Sequence, residues 1–373
     1  MPDPVETEPT PAVPEPNPGP APAQPSRLNR KVLLLEWAQL SVYDLTATQL
    51  KANFSRGRYQ VIYLTLISTV AAVGTAVIGL RELALVFAVI SIAFPIVASY
   101  LMNDLIRFTG TTAWIKYRYT AETMRMHLFL YRMQAGPYSG NPDQTDNLLA
   151  ANMDVVKQEA NPFESGITPR VRVPIQESDI LAAIAMANQY TPDDDGLSEL
   201  TLDQYVAWRL DHQFDWYDRA TSRDFVEMRR STRRAQIWLL FGAVASALLG
   251  LIDLNIELVA LVAITNAVSV AITNRASVNM FGKTYALFLI AAQKLAGLKS
   301  ELSAMENDPS FLNPDTRPKT IDEFVQRVEN TLKWEREEWY ELALQAQTTS
   351  DKAILSDLSR LSQRADEEQR ATV

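Results

Sequence analysis

The sequence predicts an all-α integral membrane protein. Two tandem transmembrane helical hairpins, four spans in all, continue into cytoplasmic coiled-coil-like helices behind a disordered Pro-rich N-terminal tail. Three observations predict it. Four uncharged apolar runs fall into two pairs, each pair separated by a short charged tip. Amphipathic patterns of helical period precede and follow each pair. The surroundings of the two pairs resemble each other.

Residues 1–28 come first. The stretch MPDPVETEPTPAVPEPNPGPAPAQP lacks the basic and apolar regions of a signal peptide. Its prolines support neither helix nor sheet, and it has almost nothing to bury, so it reads as a partly polyproline-II tail. Such a tail solubilises the chain or docks a proline-reading partner. The 373 residues include no cysteine and two histidines, His127 and His212. A disulfide framework and thiolate metal sites are thereby excluded. The formal net charge of −9 argues against a general nucleic-acid binder.

The first two-span domain is expected over residues 29–138, with spans at 61–80 and 83–103. At 1.5 Å per residue each run reaches roughly 30 Å, the thickness of the hydrocarbon. Only Arg81 and Glu82 separate them, so the chain must fold straight back. Pro95 lies inside the second run and should kink it. The second domain is expected over 203–345, with spans at 235–252 and 258–274. The last span reaches only about 26 Å and inserts with its partner. Residues 139–202 read as a cytoplasmic linker, with helices over 148–159 and 178–189 and at most a short strand in PFESGITPRVRVP. Residues 346–373 read as a polar tail without periodicity.

Basic residues flank both hairpins: Lys51, Arg56, Arg58, Arg107 and Lys116 around the first, Arg229, Arg230, Arg233, Arg234, Arg275 and Lys283 around the second. The positive-inside rule puts both termini and the linker in the cytoplasm. The hairpins lie about 175 residues apart in a parallel internal repeat. Arg58-Tyr59-Gln60-Val61 matches Arg234-Ala235-Gln236-Ile237, and Glu82-Leu83 matches Glu257-Leu258. Seams at spacings of three and four surround each hairpin. Leu33, Trp37, Leu40, Tyr43, Ala47, Leu50 and Phe54 precede the first, and Trp114, Tyr117, Ala121, Met124, Leu128 and Tyr131 follow it. Leu210, Phe214 and Tyr217 precede the second, and Tyr285, Phe288, Ala292, Leu295 and Leu302 follow it.

These flanks carry a family resemblance. In RLDHQFDWYDRA, Arg209, Leu210, Gln213, Trp216, Tyr217 and Ala220 fit a pattern that precedes a membrane hairpin. In VENTLKWEREEW, Val328, Glu329, Leu332, Glu335 and Trp339 fit its closing helix. In the first copy, WAQLSVYDLTA supplies Trp37, Leu40, Tyr43, Asp44 and Ala47, and Pro137 and Tyr138 close YRMQAGPY. The layout resembles tandem SLATT domains, the two-transmembrane effectors that associate with SMODS nucleotidyltransferases and SLOG proteins in bacteria. The resemblance implies a pore-forming effector of bacterial conflict systems, opened by a sensor or nucleotide-synthetase partner. It also implies structural roles for the motif residues.

No enzyme signature is found: GxGxxG, a phosphate-binding loop, GxSxG and HExxH are all missing. No cofactor is expected. Asp211, His212, Asp215 and Asp218 form the best metal-like cluster, but a solvated acidic face explains it. Asp193 to Asp195 lack calcium-loop spacing and read as acidic linker.

The polar side chains of the spans remain. Thr265, Asn266, Ser269 and Thr273 share one stripe of the fourth span, and Thr65 and Ser68 share one with other small residues in the first. Polar groups in hydrocarbon face protein or water. The stripes either crosslink helices or line a passage. Four helices cannot both pack together and enclose a lumen, so a passage requires a homo-oligomer in the lipid bilayer. The alternative is a membrane-anchored scaffold that binds cytoplasmic partners.

Overall fold

The computed structural model describes residues 28–77, 81–108, 112–160, 194–251, 256–308, 311, 313 and 316–371. Residues 1–27 of the Pro-rich tail, residues 78–80 and 252–255, the PFESGITPRVRVP stretch and the helix expected over 178–189 lie outside them, whereas Arg81 and Glu82, expected as the first tip, open the second helix of that hairpin. All regular structure among the described residues is helical.

Helix α1, Arg30–Val77, is a single rod of 48 residues. Asn29 caps it through its side-chain oxygen, which accepts from the backbone N–H groups of Lys31 and Val32. The rod is continuous because one buried stripe runs its whole length. Leu33, Trp37, Leu40, Tyr43, Ala47, Leu50 and Phe54 lead into Val61, Ser68 and Ala71, all buried. Helix α2, Arg81–Phe108, returns along α1 with Pro95 inside it. Helix α3, Ala113–Arg132, and helix α4, Pro142–Glu159, pack below.

The second half begins with α5, Leu202–Tyr205, closed by a capping box between Thr201 and Gln204. A π-helical turn over Val206–Asp211 leads into α6, His212–Leu251. Helix α7, Ile256–Val278, returns along α6. Helix α8, Phe281–Met305, follows Met280, whose φ of 54° lies in the left-handed region. Helix α9, Arg317–Ala371, runs for 55 residues. It extends through the segment read from sequence as a polar tail. Residues 346–371 contain no Gly or Pro and are rich in Ala, Leu, Gln, Glu, Lys and Arg, all strong helix formers.

Two regions result. The base is one hydrophobic core, from Leu28 to Ala343, drawn from both halves of the chain. Helix α9 closes it by packing against both α3 and α8. The end of the linker belongs to this core. Arg132 grips Asp194 in a buried two-point ion pair, and Trp37 donates its indole N–H to the Gly196 carbonyl at 2.7 Å. Asp195 caps the following turn, accepting from the N–H groups of Leu197 and Ser198. Asp194 and Asp195, expected as acidic linker, therefore form a structural joint.

The other region is an apolar end. Helix α2 packs on α1, α1 on α7, and α7 on α6. The four helices thus stand in a row, α2–α1–α7–α6, with α2 and α6 at its edges. Two segments, Glu82–Asp104 and Ala260–Met305, are long and apolar enough to cross a membrane. The apolar parts of α1 and α6 stand beside them. Large apolar side chains cover the outside of the row, among them Leu85, Val89, Ile92, Leu240 and Phe241.

Candidate functional site

The site is built from the helices of the row and from the ionic base beneath it. In the base, the family-motif residues are brought together as packing and pairing groups. The π-helical turn aims Arg209 across the core at Glu329. Its Nε and Nη2 donate to the two carboxylate oxygens at 2.9 and 3.0 Å. Tyr205 donates its hydroxyl to the same carboxylate. Arg209 also lies over the ring of Phe129, 4.9 Å from its centre. Tyr217 donates to Glu335 at 2.8 Å. Trp216, partly exposed, sets its ring edge against Phe288 and Tyr217, and Gln213 is half-buried beside it. Trp339 meets Trp114 edge to face.

In the first half, Tyr43 packs on the Tyr117 ring and Asp44 pairs with Arg118. Pro137 sits in a 3₁₀ turn whose Tyr138 hydroxyl lies 2.8 Å from His127 Nδ1. Gly136 begins that turn at φ 59°, where glycine is favoured, and donates its N–H to Asp322 of α9.

The charges of the base are set against one another. Burial pushes the Glu335 carboxyl up to about 7, against the pull of the Tyr217 hydroxyl and with the repulsion of Glu122 added. Glu122 goes the other way. Burial raises it, but the guanidinium groups of Arg118 and Arg125 hold it well below the usual carboxylate range. Burial lowers His127 to about 4, with Arg336 helping. Among the described residues no cluster of His, Cys, Asp and Glu is arranged to hold a metal ion. Asp211, at the end of the π-helical turn, pairs with Lys299.

In the row, the expected polar stripe of α7 divides. Thr265 and Ser269 are buried against α6. A Cβ at Gly242 would sit 2.7 Å from Thr265 Oγ1, so the two helices touch closely there. Ser269 donates to the Ala235 carbonyl at 3.2 Å. Ser68 is likewise buried and donates to the Ser91 carbonyl of α2 at 2.9 Å. Ser68 and Ser269 bind helix to helix within one chain, while Thr265 packs on α6 and donates to the Val262 carbonyl of its own helix. Their small side chains permit the close approach. Asn266, Thr273 and Thr65 are exposed. Thr273 and Thr65 donate within their own helices, to Ser269 and Val61. Among the described residues the Asn266 amide has no hydrogen-bond partner.

Exposed polar groups of α1 and α6 lie on the same side of the row. On α1, Val61 and Ser68 point to α2, while Tyr59 bonds Asn279, just past the end of α7, and carries Arg275 over its ring. At about 100° per residue, Thr65 and Ala72 then face one side, and Tyr63 and Ile67 the other. On α7, Thr265 and Ser269 mark the direction of α6, and Arg275 and Asn279 that of α1. At about 100° per residue these two directions are roughly 80° apart, and Asn266 and Thr273 point away from α1, beyond the α6 contact. On α6, with Ala235, Gly242 and Ala245 buried toward α7, the Thr65 side carries Gln236, Ala243 and Ser246. On α2 it carries Ile92 and Ser99. The opposite side carries Tyr63, Ile67, Trp238 and Phe241. The Thr65 side is small and polar on α1 and α6, and its reverse is bulky and apolar. Gln236 and Ser246 were missed by sequence reasoning, because their side depends on which helices are neighbours.

Two different family models match the chain, one over part of each half. Residues 38–146 match a family model described as a protein of unknown function, DUF4231. No curated protein matches the chain, and no solved structure does. Residues 205–339, spanning α6 to the middle of α9, match the model of the SMODS and SLOG-associating 2TM effector domain 1. The chain is therefore SLATT-related, and the relation runs through its second hairpin.

Proposed function

We propose that this protein is a non-enzymatic membrane effector. Four spans cross the bacterial inner membrane with both termini in the cytoplasm, and copies assemble into an ion-permeable pore. The base receives a cytoplasmic signal from a sensor or from the product of a nucleotide synthetase, and the path it opens acts in bacterial defence. The observation that carries this reading is the exposed Asn266 of α7. An amide exposed on an apolar surface is costly in hydrocarbon unless it faces water or another chain. Asn266 stands exposed beside Thr273 on α7, and Thr65, Gln236 and Ser246 are exposed on α1 and α6. Apolar side chains covering the outside of all four helices support immersion of the whole row.

The test is membrane potential, read by a voltage-sensitive dye after induction in bacteria. Native protein should depolarise the cells once its signal is supplied. Asn266→Leu, present at equal level in the membrane, should abolish or strongly reduce the response. An Asn266→Leu protein that depolarises as the native one does would overturn the assignment of this face to the path.

A further inference from the structure

Helix α6 crosses from the base into the row without a break, and its side away from α7 changes character on the way. Ala235, Gly242 and Ala245 mark the side turned to α7. At about 100° per residue, Arg229, Arg233, Ile237, Leu240 and Val244 share one stripe on the opposite side, within about 80° of arc. All five are exposed, Leu240 at 66%. The stripe is cationic up to Arg233 and apolar from Ile237, so the change takes about one turn of helix.

Arg229 and Arg233 stand one turn apart on one face, where like charges repel. Among the described residues neither has an ion-pair partner. The nearby acids of α6 are engaged: Glu227 pairs with Arg230, and the buried Asp224 accepts from the Thr284 hydroxyl. The matching positions of α1 carry no charge. Setting Arg58-Tyr59-Gln60-Val61 on Arg234-Ala235-Gln236-Ile237 puts Asn53 and Gly57 where α6 has Arg229 and Arg233. Arg58 itself is buried, its guanidinium 5.1 Å from the centre of the Phe54 ring. Helix α1 has a helix on either side in the row, whereas α6 stands at an edge. The arginine pair therefore belongs to the helix whose outer side meets the surroundings.

A partner for this stripe needs two parts in a fixed order. Negative oxygens must lie between the guanidinium forks, which hold phosphate by paired N–H donors. An apolar body must then cover Ile237 to Val244, about 10 Å of helix and within the roughly 15 Å of one leaflet. A free phosphate would satisfy the arginines alone, and an apolar helix of a second copy the lower half alone. A phospholipid has both parts, phosphate at the surface and chains below it. We propose that the outer stripe of α6 seats an anionic phospholipid. Arg229 and Arg233 hold its phosphate, and its acyl chains lie on Ile237, Leu240 and Val244. A zwitterionic lipid fits less well, because its own ammonium competes with the arginines for the phosphate. This rests on the reading of the row as membrane-embedded.

The test is native mass spectrometry of the full-length protein in uncharged detergent, with equimolar phosphatidylglycerol and phosphatidylcholine of identical chains. The ratio of the two singly bound forms is read. Native protein should favour phosphatidylglycerol, and Arg229→Gln with Arg233→Gln should lower the ratio by about fivefold for each arginine lost. Lys319→Gln with Lys333→Gln, both exposed in the base, removes the same charge and should leave the ratio unchanged. The single arginine variants serve should the double one melt below the native protein. Equal binding of the two lipids by native protein would overturn the proposal, and so would a ratio that the arginine pair leaves unchanged. An equal fall in the lysine pair would reduce the effect to net charge and overturn it too. Displacement of phosphatidylglycerol by inorganic phosphate would make the partner a free anion. Loss of a dimer from the arginine variants at an unchanged lipid ratio would give the stripe to a second copy. Protein that stays dissolved without detergent and takes up neither lipid would remove the membrane reading as well. Detergent-dependent protein that takes up both lipids equally keeps that reading and removes only the lipid seat.

Discussion

In the lower part of α1, Trp37, Leu40 and Phe54 are buried, and nothing on the same helix above them changes but the neighbours. In the upper part, Tyr63, Ile67 and Val70 face outward, while Ser68 and, one turn below the row, Arg58 are buried. The same inversion occurs in the second half, where Phe288 and Leu295 are inside the base and Phe241 and Leu240 are outside the row. The base follows the rule of a water-soluble core, with buried pairs such as Arg209–Glu329 and Arg132–Asp194. The row packs through small and hydroxyl-bearing side chains, with large apolar ones turned outward. The difference teaches that one continuous helix can turn opposite kinds of side chain inward along its length. The boundary is set by which side chains are turned inward, not by any break in the backbone.

The contrast can be broken most severely in the base. Arg209→Ala would leave Glu329 buried without its cation and should cost about 3–5 kcal/mol. Thermal unfolding in detergent should show a large loss, and Arg209→Met with Glu329→Leu should recover most of it. A paired phenylalanine test is nearly as large. Phe324→Ala should cost about 3–5 kcal/mol from a fully buried site, whereas Phe241→Ala should stay within about 0.5 kcal/mol. Equal losses in the two melts would erase the distinction between the regions. Within the row, Gly242→Ala drives a methyl group against Thr265 Oγ1 and should cost about 1–3 kcal/mol. Adding Thr265→Ala should relieve it, and an additive double variant would show that the two helices do not meet there.

The smallest effect is in pH. Glu335 is raised to about 7, so it binds its proton more tightly folded than unfolded, and its contribution falls as pH rises from about 4.5 to 7. His127 is lowered to about 4, so the unfolded chain takes its proton first, and its contribution rises as pH rises from 4 to 6.5. His212 is lowered too and acts in the same direction as His127. The opposed slopes overlap. Glu335→Gln should therefore make stability climb more steeply between pH 4.5 and 6.5 and should remove the decline approaching pH 7. Unchanged unfolding curves across that range would place the Glu335 proton elsewhere.

Much of this was legible in the residues. The seams through Trp37, Leu40, Tyr117, Leu128 and Leu295 follow helical periodicity, and periodicity is local. The hairpins follow from uncharged runs around short tips. The order of the row was not legible, because it depends on which hairpin face meets which. Without it, Thr265 and Ser269 could not be separated from Asn266 and Thr273, though all four share a stripe. The choice of Glu329 for Arg209, and of Asp194 for Arg132, joins residues far apart in the chain and leaves no local pattern. Asp194 in particular sits in a turn-rich stretch that resembles a spacer until its partner is known.

The two hairpins also differ from leg to leg. Helices α1 and α6 run from the base into the row without interruption, α1 over about 72 Å. The returning legs are jointed: α2 ends at Phe108 before α3 begins at Ala113, and α7 gives way to α8 through the left-handed Met280. A stiff strut beside a hinged one is a lever. Torque applied to the base would turn α1 and α6 about their own axes, carrying Thr65, Gln236 and Ser246 around with them. The jointed legs would take up the slack near Met280, so the row could rotate its polar face without any helix unwinding.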